Sequence, residues 1–282
     1  MTARAQFPDE QSADGAFERQ EDAFRAWVSN DGSTPYPAVA GRYHLYVSLA
    51  CPWAHRTVIA RMLCGLEGAI GLTVVDPVRD DRGWAFREGP GFSTDPVNGF
   101  AFLSQAYEAS QPRYRGRVTV PVLWDKETRR IVNNSEDDLC RMFCGAFAGL
   151  GRHRAELFPP GIEAEHAELA LYIYENVNNG VYEAGFATSQ VAYEKACRRV
   201  FAALDALEGR LGPAGYLFGP RIVDYPHLQG YLLNLYQHPG VAETVNFDHI
   251  KRHYYYTHDD INPTRVVPLG PVLDFIKPSG RP

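Results

Sequence analysis

A cysteine followed at once by a proline, Cys51-Pro52, joins a strand-like run, Tyr43–Val47, to a helix-like run, Pro52–Leu63. Proline lacks an N–H and its φ is preset near the helical value, so it fits the first turn of a helix. The cysteine before it then takes the cap position, where the first N–H groups have no partner and the positive end of the macrodipole lies. A sulfur there is expected to favour thiolate over thiol, and the thiolate is the nucleophile. Where a dithiol oxidoreductase has its second cysteine, three residues on, this chain has Ala54. A mixed disulfide on Cys51 must therefore be resolved by an external small thiol.

The pattern around this junction sets the fold class. Residues 1–40 read as an irregular arm closed by Pro35-Tyr36-Pro37. Residues 41–151 read as a domain: a strand at 43–47, a helix at 52–66 and strands at 72–77 and 118–124. A hairpin to Ile131-Val132 through Asp125-Lys126-Glu127-Thr128 follows, then a helix at 135–147 with acidic residues in its first turn, as the dipole prefers. This β-α-β-insert-β-β-α order is thioredoxin-like. The insert, 79–117, carries Trp84, Phe86, Phe92, Phe100, Phe102, Tyr107 and Tyr114. Long connections inside compact domains tend to be functional. Residues 152–282 read as a helical domain with a proline-rich tail. Helices are expected at 163–178, 191–211, 225–237 and 241–256. In the second of these, Cys197, Val200, Phe201, Leu204, Leu207 and Leu211 mark one buried face. The class is α/β plus all-α.

The 282 residues are 45% hydrophobic and 22% charged, which suits two folded domains with real cores. A formal net charge of -6 without a basic run argues against a nucleic-acid partner. No run approaches the roughly 20 apolar residues of a membrane helix, and the polar N-terminus lacks a signal-peptide core. A cytoplasmic protein is expected. The five cysteines are an odd number without scaffold spacing. Cys140 and Cys144, at i, i+4, are expected to be small core residues rather than a metal pair, and no metal site is expected; His249, His253 and His258 lack a patterned carboxylate.

Two further motifs extend the thiol reading. A proline at Val120-Pro121, opposite the catalytic cysteine in thioredoxin-like folds, is expected to be cis, freeing the Val120 N–H and C=O to pair with a peptidic thiol. Ser135-Glu136 begins a helix, where N–H donors suit a carboxylate and Glu136 suits an ammonium; simple capping is the alternative. His55 and Arg56 either add positive potential to the sulfur or face solvent. The Tyr254-Tyr255-Tyr256 cluster offers phenols to a polar aromatic substrate or packs.

Several stretches together resemble the glutathionyl-hydroquinone reductases, the Xi-class glutathione transferases. They are Cys51-Pro52-Trp53-Ala54-His55-Arg56, Gly83-Trp84-Ala85-Phe86, Val118 to Lys126, Val177-Asn178-Asn179-Gly180-Val181-Tyr182, Ala184 to Thr188, Val241 to Phe247 and Ile261-Asn262-Pro263-Thr264. The resemblance implies a thioredoxin-like domain followed by a helical glutathione transferase domain, in a homodimer. It implies an enzyme in which Cys51 takes the glutathionyl group from a hydroquinone adduct and a second glutathione releases it as glutathione disulfide. It places Trp84, Val120, Pro121, Ser135 and Glu136 at the glutathione, and Tyr182 and Tyr254 or Tyr255 at the hydroquinone oxygens. No permanently bound cofactor is implied; glutathione, or another small thiol, is a co-substrate beside a quinone-derived substrate. Where the family reads Glu-Ser this chain reads Ser135-Glu136, and the family is longer at Gly219-Pro220. The same thiol logic also fits a glutaredoxin-like deglutathionylase or dehydroascorbate reductase, and the fold fits a non-catalytic binding module.

Overall fold

The computed structural model describes residues 10–80, 82–153, 155–211, 226–258, 262–269 and 274–279; the short stretch at Gly219-Pro220 lies outside them. The chain forms two compact units. One is Glu21–Phe158 with Glu243–Pro268; the other comprises the described residues of 1–20, 159–242 and 269–282.

The first unit holds β1 (Tyr43–Val47), α1 (Pro52–Leu63), β2 (Gly71–Val74), α2 (Ser104–Ser110), β3 (Val122–Asp125), β4 (Arg130–Asn133) and α3 (Glu136–Cys144). The sheet order is β2-β1-β3-β4: β1 and β2 are parallel, and the other pairs antiparallel. This is the thioredoxin-like arrangement. All five residues of β1 and all four of β3 are buried, as central strands covered on both faces must be. Residues 24–26 of the arm extend the β4 edge: Ala26 N–H donates to Val132 O and Asn134 N–H to Phe24 O, each at 3.0 Å.

Two cross-links show that α1 and α3 pack side by side and run parallel. Arg56 pairs with Glu136 near their starts, and the sulfurs of Cys64 and Cys144 meet at their ends. The insert differs from expectation. Phe86 packs on Tyr46, Phe100 on Trp124, and Tyr107 on Phe24 and Tyr114. Most of its aromatics thus finish the core of the sheet, and part of it forms α2. Residues 241–256 are not one helix but a short 3-10 turn (Ala242–Thr244), α8 (Phe247–Arg252) and a π-turn (His253–Thr257). Asn246 breaks the run, because its side chain caps α8 by accepting from His249 N–H at 3.0 Å.

The second unit holds α4 (Glu163–Ile173), α5 (Gly180–Gly185), α6 (Gln190–Leu211) and α7 (Pro226–Gln237). The buried stripe of α6 is Ala196, Val200, Ala203, Leu207 and Leu211, whereas Phe201 is 54% exposed. Small residues let α6 lie close to its neighbours, so the large Phe201 falls on the outer side. Gly15, at φ +87, fits where a Cβ would meet Thr188 and Ser189 at 2.9 Å, and Thr188 N–H donates to Gly15 O.

At the start of β1, Arg42 grips Asp125 with two hydrogen bonds, 2.8 and 2.6 Å; both side chains are buried. Burial pushes the Asp125 carboxyl up, but Arg42, Thr128 and the Glu127 N–H outweigh it and hold it below its ordinary value. A carboxyl so held stabilises the fold above its unfolded pKa and loses that contribution as pH falls through its folded value. Arg42→Met is therefore expected to cost about 3 kcal/mol in urea denaturation at neutral pH, since it leaves a buried charge short of its partner. The gap from wild type should shrink as the pH is lowered below the usual aspartate range.

Candidate active site around Cys51

Cys51 is the N-cap of α1 (φ −91°, ψ 115°), with Pro52 in the first turn and no side-chain cap. The strand enters and the helix leaves as the Cys-Pro junction dictates. The sulfur is half-buried and lies 3.8 Å from Val120 O. The Val120-Pro121 bond is cis, as expected. Ser135 is the N-cap of α3 with nearly the same backbone (φ −91°, ψ 124°), and its hydroxyl makes no capping hydrogen bond. Simple capping therefore does not account for Ser135. Two parallel helices thus begin close together, neither closed by its cap residue.

The expectation of a thiolate at rest needs correcting. Burial pushes the Cys51 thiol up. The backbone N–H groups of Ala54 and Trp53 hydrogen-bond the sulfur and pull the other way, as does the charge of Arg117, whereas Glu136 adds to the rise. Desolvation wins because the donors are only two. His55 supplies no charge: burial lowers its pKa, and its Nε2 lies 2.7 Å from Thr244 Oγ1. Arg56 faces Glu136 rather than the sulfur.

A cavity of about 150 Å³ opens at the sulfur, lined by Leu49, Ala50, Cys51, Pro52, His55, Val245, Ile250 and Tyr254. Its wall is mainly apolar with one phenol and one neutral imidazole. Residues 243–258 hold their place through three histidines. His55 bonds Thr244, His249 Nε2–H donates to Pro90 O at 2.8 Å, and His253 Nδ1–H donates to Pro77 O at 2.9 Å. A carbonyl only accepts, so those ring nitrogens carry the hydrogen. Burial, then Arg79 and His258, lower His253 to about 3, so it stays neutral.

Of the residues predicted from sequence, Cys51, Val120, Pro121, Ser135, Glu136 and Tyr254 come together in this unit. Trp84 does not stand on the cavity wall. It is 4% exposed, stacked on His253 at 5.0 Å with the Arg79 guanidinium over its ring, and it braces the turn that carries Tyr254. Tyr255 is 42% exposed. Tyr182 belongs to the other unit, on α5, with Arg19 over its ring at 4.6 Å. Val245, Ile250, Leu49 and the His55–Thr244 bond had no local signal.

The glutathione S-transferase N-terminal domain family matches residues 50–145. Glutathionyl-hydroquinone reductase YqjG of Escherichia coli K12 is 44% identical over 310 aligned residues, covering 97% of this chain and 94% of that protein. The chain belongs to the Xi-class glutathione transferases. Glutathionyl-hydroquinone reductase PcpF of Sphingobium chlorophenolicum is 37% identical, over 93% of this chain and 92% of that protein. The glutathione-bound structure of YqjG superposes with a TM-score of 0.86, covering 92% of this chain and 96% of that chain. A Xi-class transferase from Natrialba magadii gives 0.88 at 42% identity, covering 94% of each chain. The 310-residue alignment exceeds the 282 residues here, so YqjG carries residues that this Xi-class chain lacks.

Because the Glu136 charge raises the Cys51 thiol, Glu136→Gln should lower its pKa. Thiolate absorbance followed across pH checks this; an unchanged or higher midpoint would refute the electrostatic assignment.

Proposed function

We propose that this protein reduces glutathionyl-hydroquinones to hydroquinones at the expense of glutathione. The observation that carries the reading is the Cys51 sulfur, set between open helix N–H groups and Val120 O and facing an apolar cavity with a phenol on its wall. The close relatives named glutathionyl-hydroquinone reductases support it.

The chemistry follows from that placement. The glutathionyl part pairs with the Val120 backbone beside Pro121, its α-carboxylate meets the N–H groups at Ser135, and its ammonium meets Glu136. Burial is the main cause of the raised Cys51 thiol; the ammonium offsets the smaller contribution of the Glu136 charge and so shifts the sulfur toward thiolate. The Cys51 thiolate attacks the glutathionyl sulfur. The sulfur–carbon bond breaks, its electron pair stays on the ring carbon, and that carbon takes a proton to give the hydroquinone. Cys51 is left as a mixed disulfide. A glutathione thiolate attacks the glutathionyl sulfur, glutathione disulfide leaves, and the Cys51 thiolate returns. Tyr254, on the cavity wall, supplies a proton or a hydrogen bond to the ring. Trp84 supports the turn that carries Tyr254 through its stacking on His253. A homodimeric, cytoplasmic enzyme without a permanently bound cofactor completes the reading. The domains proposed from the sequence are an arm to residue 40, a thiol-binding domain at 41–151 and a helical substrate domain at 152–282; by compactness, residues 243–268 group with the thiol-binding domain.

Consumption of a glutathionyl-hydroquinone tests it. Cys51→Ala should abolish turnover, and equal turnover by wild type and variant would end the proposal. Tyr254→Phe should lower kcat about 10²-fold if its phenol acts as an acid. Glutathionylated peptide and dehydroascorbate, run alongside, should be turned over more slowly than the quinone adduct, because the wall facing the sulfur is apolar.

A further inference from the structure

Cys64 and Cys144 lie away from the site above, and their sulfurs are 3.5 Å apart. Cys64 is the C-cap of α1 and Cys144 the last residue of α3. Cys51 and Cys64 bracket the twelve residues of α1, a span of about 20 Å at the helical rise, so the pair is a separate centre. The partner of Cys144 is Cys64 rather than Cys140, the neighbour that spacing alone suggests. The backbone around Cys64 is fixed. Gly65 turns at φ +65 where a Cβ would meet Arg152 N at 2.8 Å, and a Cβ on Gly151 would meet Cys64 O at 2.0 Å. Cys64 is 2% exposed, whereas Cys144 is partly exposed.

We propose that Cys64 and Cys144 form a second redox site, closing to a disulfide by exchange with glutathione disulfide. Cys144 is the thiol that a small disulfide reaches. With Cys144 as the thiolate, the Cys64 S–H donates across the 3.5 Å contact, which draws Cys144 down and pushes Cys64 up. The Cys144 thiolate attacks one sulfur of glutathione disulfide, releasing glutathione and keeping one glutathionyl group. The Cys64 sulfur then attacks the Cys144 sulfur. The protein disulfide forms, the second glutathione leaves, and it takes up the proton that Cys64 gives up. Two protein thiols are oxidised and one disulfide is reduced to two thiols. Excess glutathione runs the exchange backwards, so the pair responds to the ratio of disulfide to thiol. Closing it ties together the ends of the two helices whose starts carry Cys51 and Ser135-Glu136. The source of the oxidant rests on the proposed function, which makes glutathione disulfide as product; the thiol pair does not.

The full-length Cys51→Ala protein, which cannot take glutathione at residue 51, is incubated with glutathione disulfide, unfolded in an alkylating agent, digested and mapped by mass spectrometry. The expected product is a Cys64–Cys144 linked peptide in most of the protein. Adding Cys64→Ser should stop the reaction at a glutathionyl group on Cys144, and adding Cys144→Ser should leave Cys64 alkylated. Wild type should show the same link. Recovery of Cys64 and Cys144 as separate alkylated peptides, of Cys144 glutathionylated beside a free Cys64, or of a Cys140–Cys144 link would overturn the proposal. None of these readouts depends on turnover, so failure of the pair is distinguishable from failure of the reductase reading.

Discussion

The first turn of α1 begins at Cys51 with a proline in place of one donor and no side chain over the others. Two of its N–H groups are spent on the sulfur, and burial works against them. The remaining features act on this competition. β1 brings the sulfur to the end of a central strand, the cis Val120-Pro121 segment puts a carbonyl in front of it, and Glu136 at the start of the parallel helix tilts the balance toward the thiol. Burial is the largest influence on the sulfur, and the two N–H donors and Arg117 oppose it.

A polar network holds the turn at the start of α3. Asp138, behind the start of α3, accepts from Arg25 at 2.8 Å and from Asn133 at 3.0 Å, and Asn133 Oδ1 accepts from Ser135 N–H at 2.8 Å. These bonds fix the turn at Ser135 while leaving its hydroxyl out of the capping role. Buried polar groups left unpaired cost about 1–3 kcal/mol each, so such a network specifies one geometry for the loop.

The parts legible in sequence were those with a local physical signal. β1 falls on the predicted residues and α1 starts at the predicted one, because a strand run and a proline in the first turn leave little choice. The cis bond was readable from its place in the strand order. The insert was not: nothing local separates an aromatic bound for the sheet, such as Phe100 on Trp124, from one bound for a ligand. α2 is too short, at seven residues, to show a period. The break at Asn246 rests on a side chain choosing a backbone N–H over a continuous helix. On the cavity wall, His55 is tied to Thr244 across 189 residues, a distance at which sequence pattern is silent.

The most direct test of the account concerns a single turnover at Cys51. Wild-type protein is mixed with one equivalent of a glutathionyl-hydroquinone and no free glutathione, and intact mass and released hydroquinone are measured together. One glutathionyl group on Cys51 and one equivalent of hydroquinone are expected, with no further reaction until glutathione is added. Hydroquinone release without the adduct, or an adduct on another cysteine with Cys51 free, would contradict it.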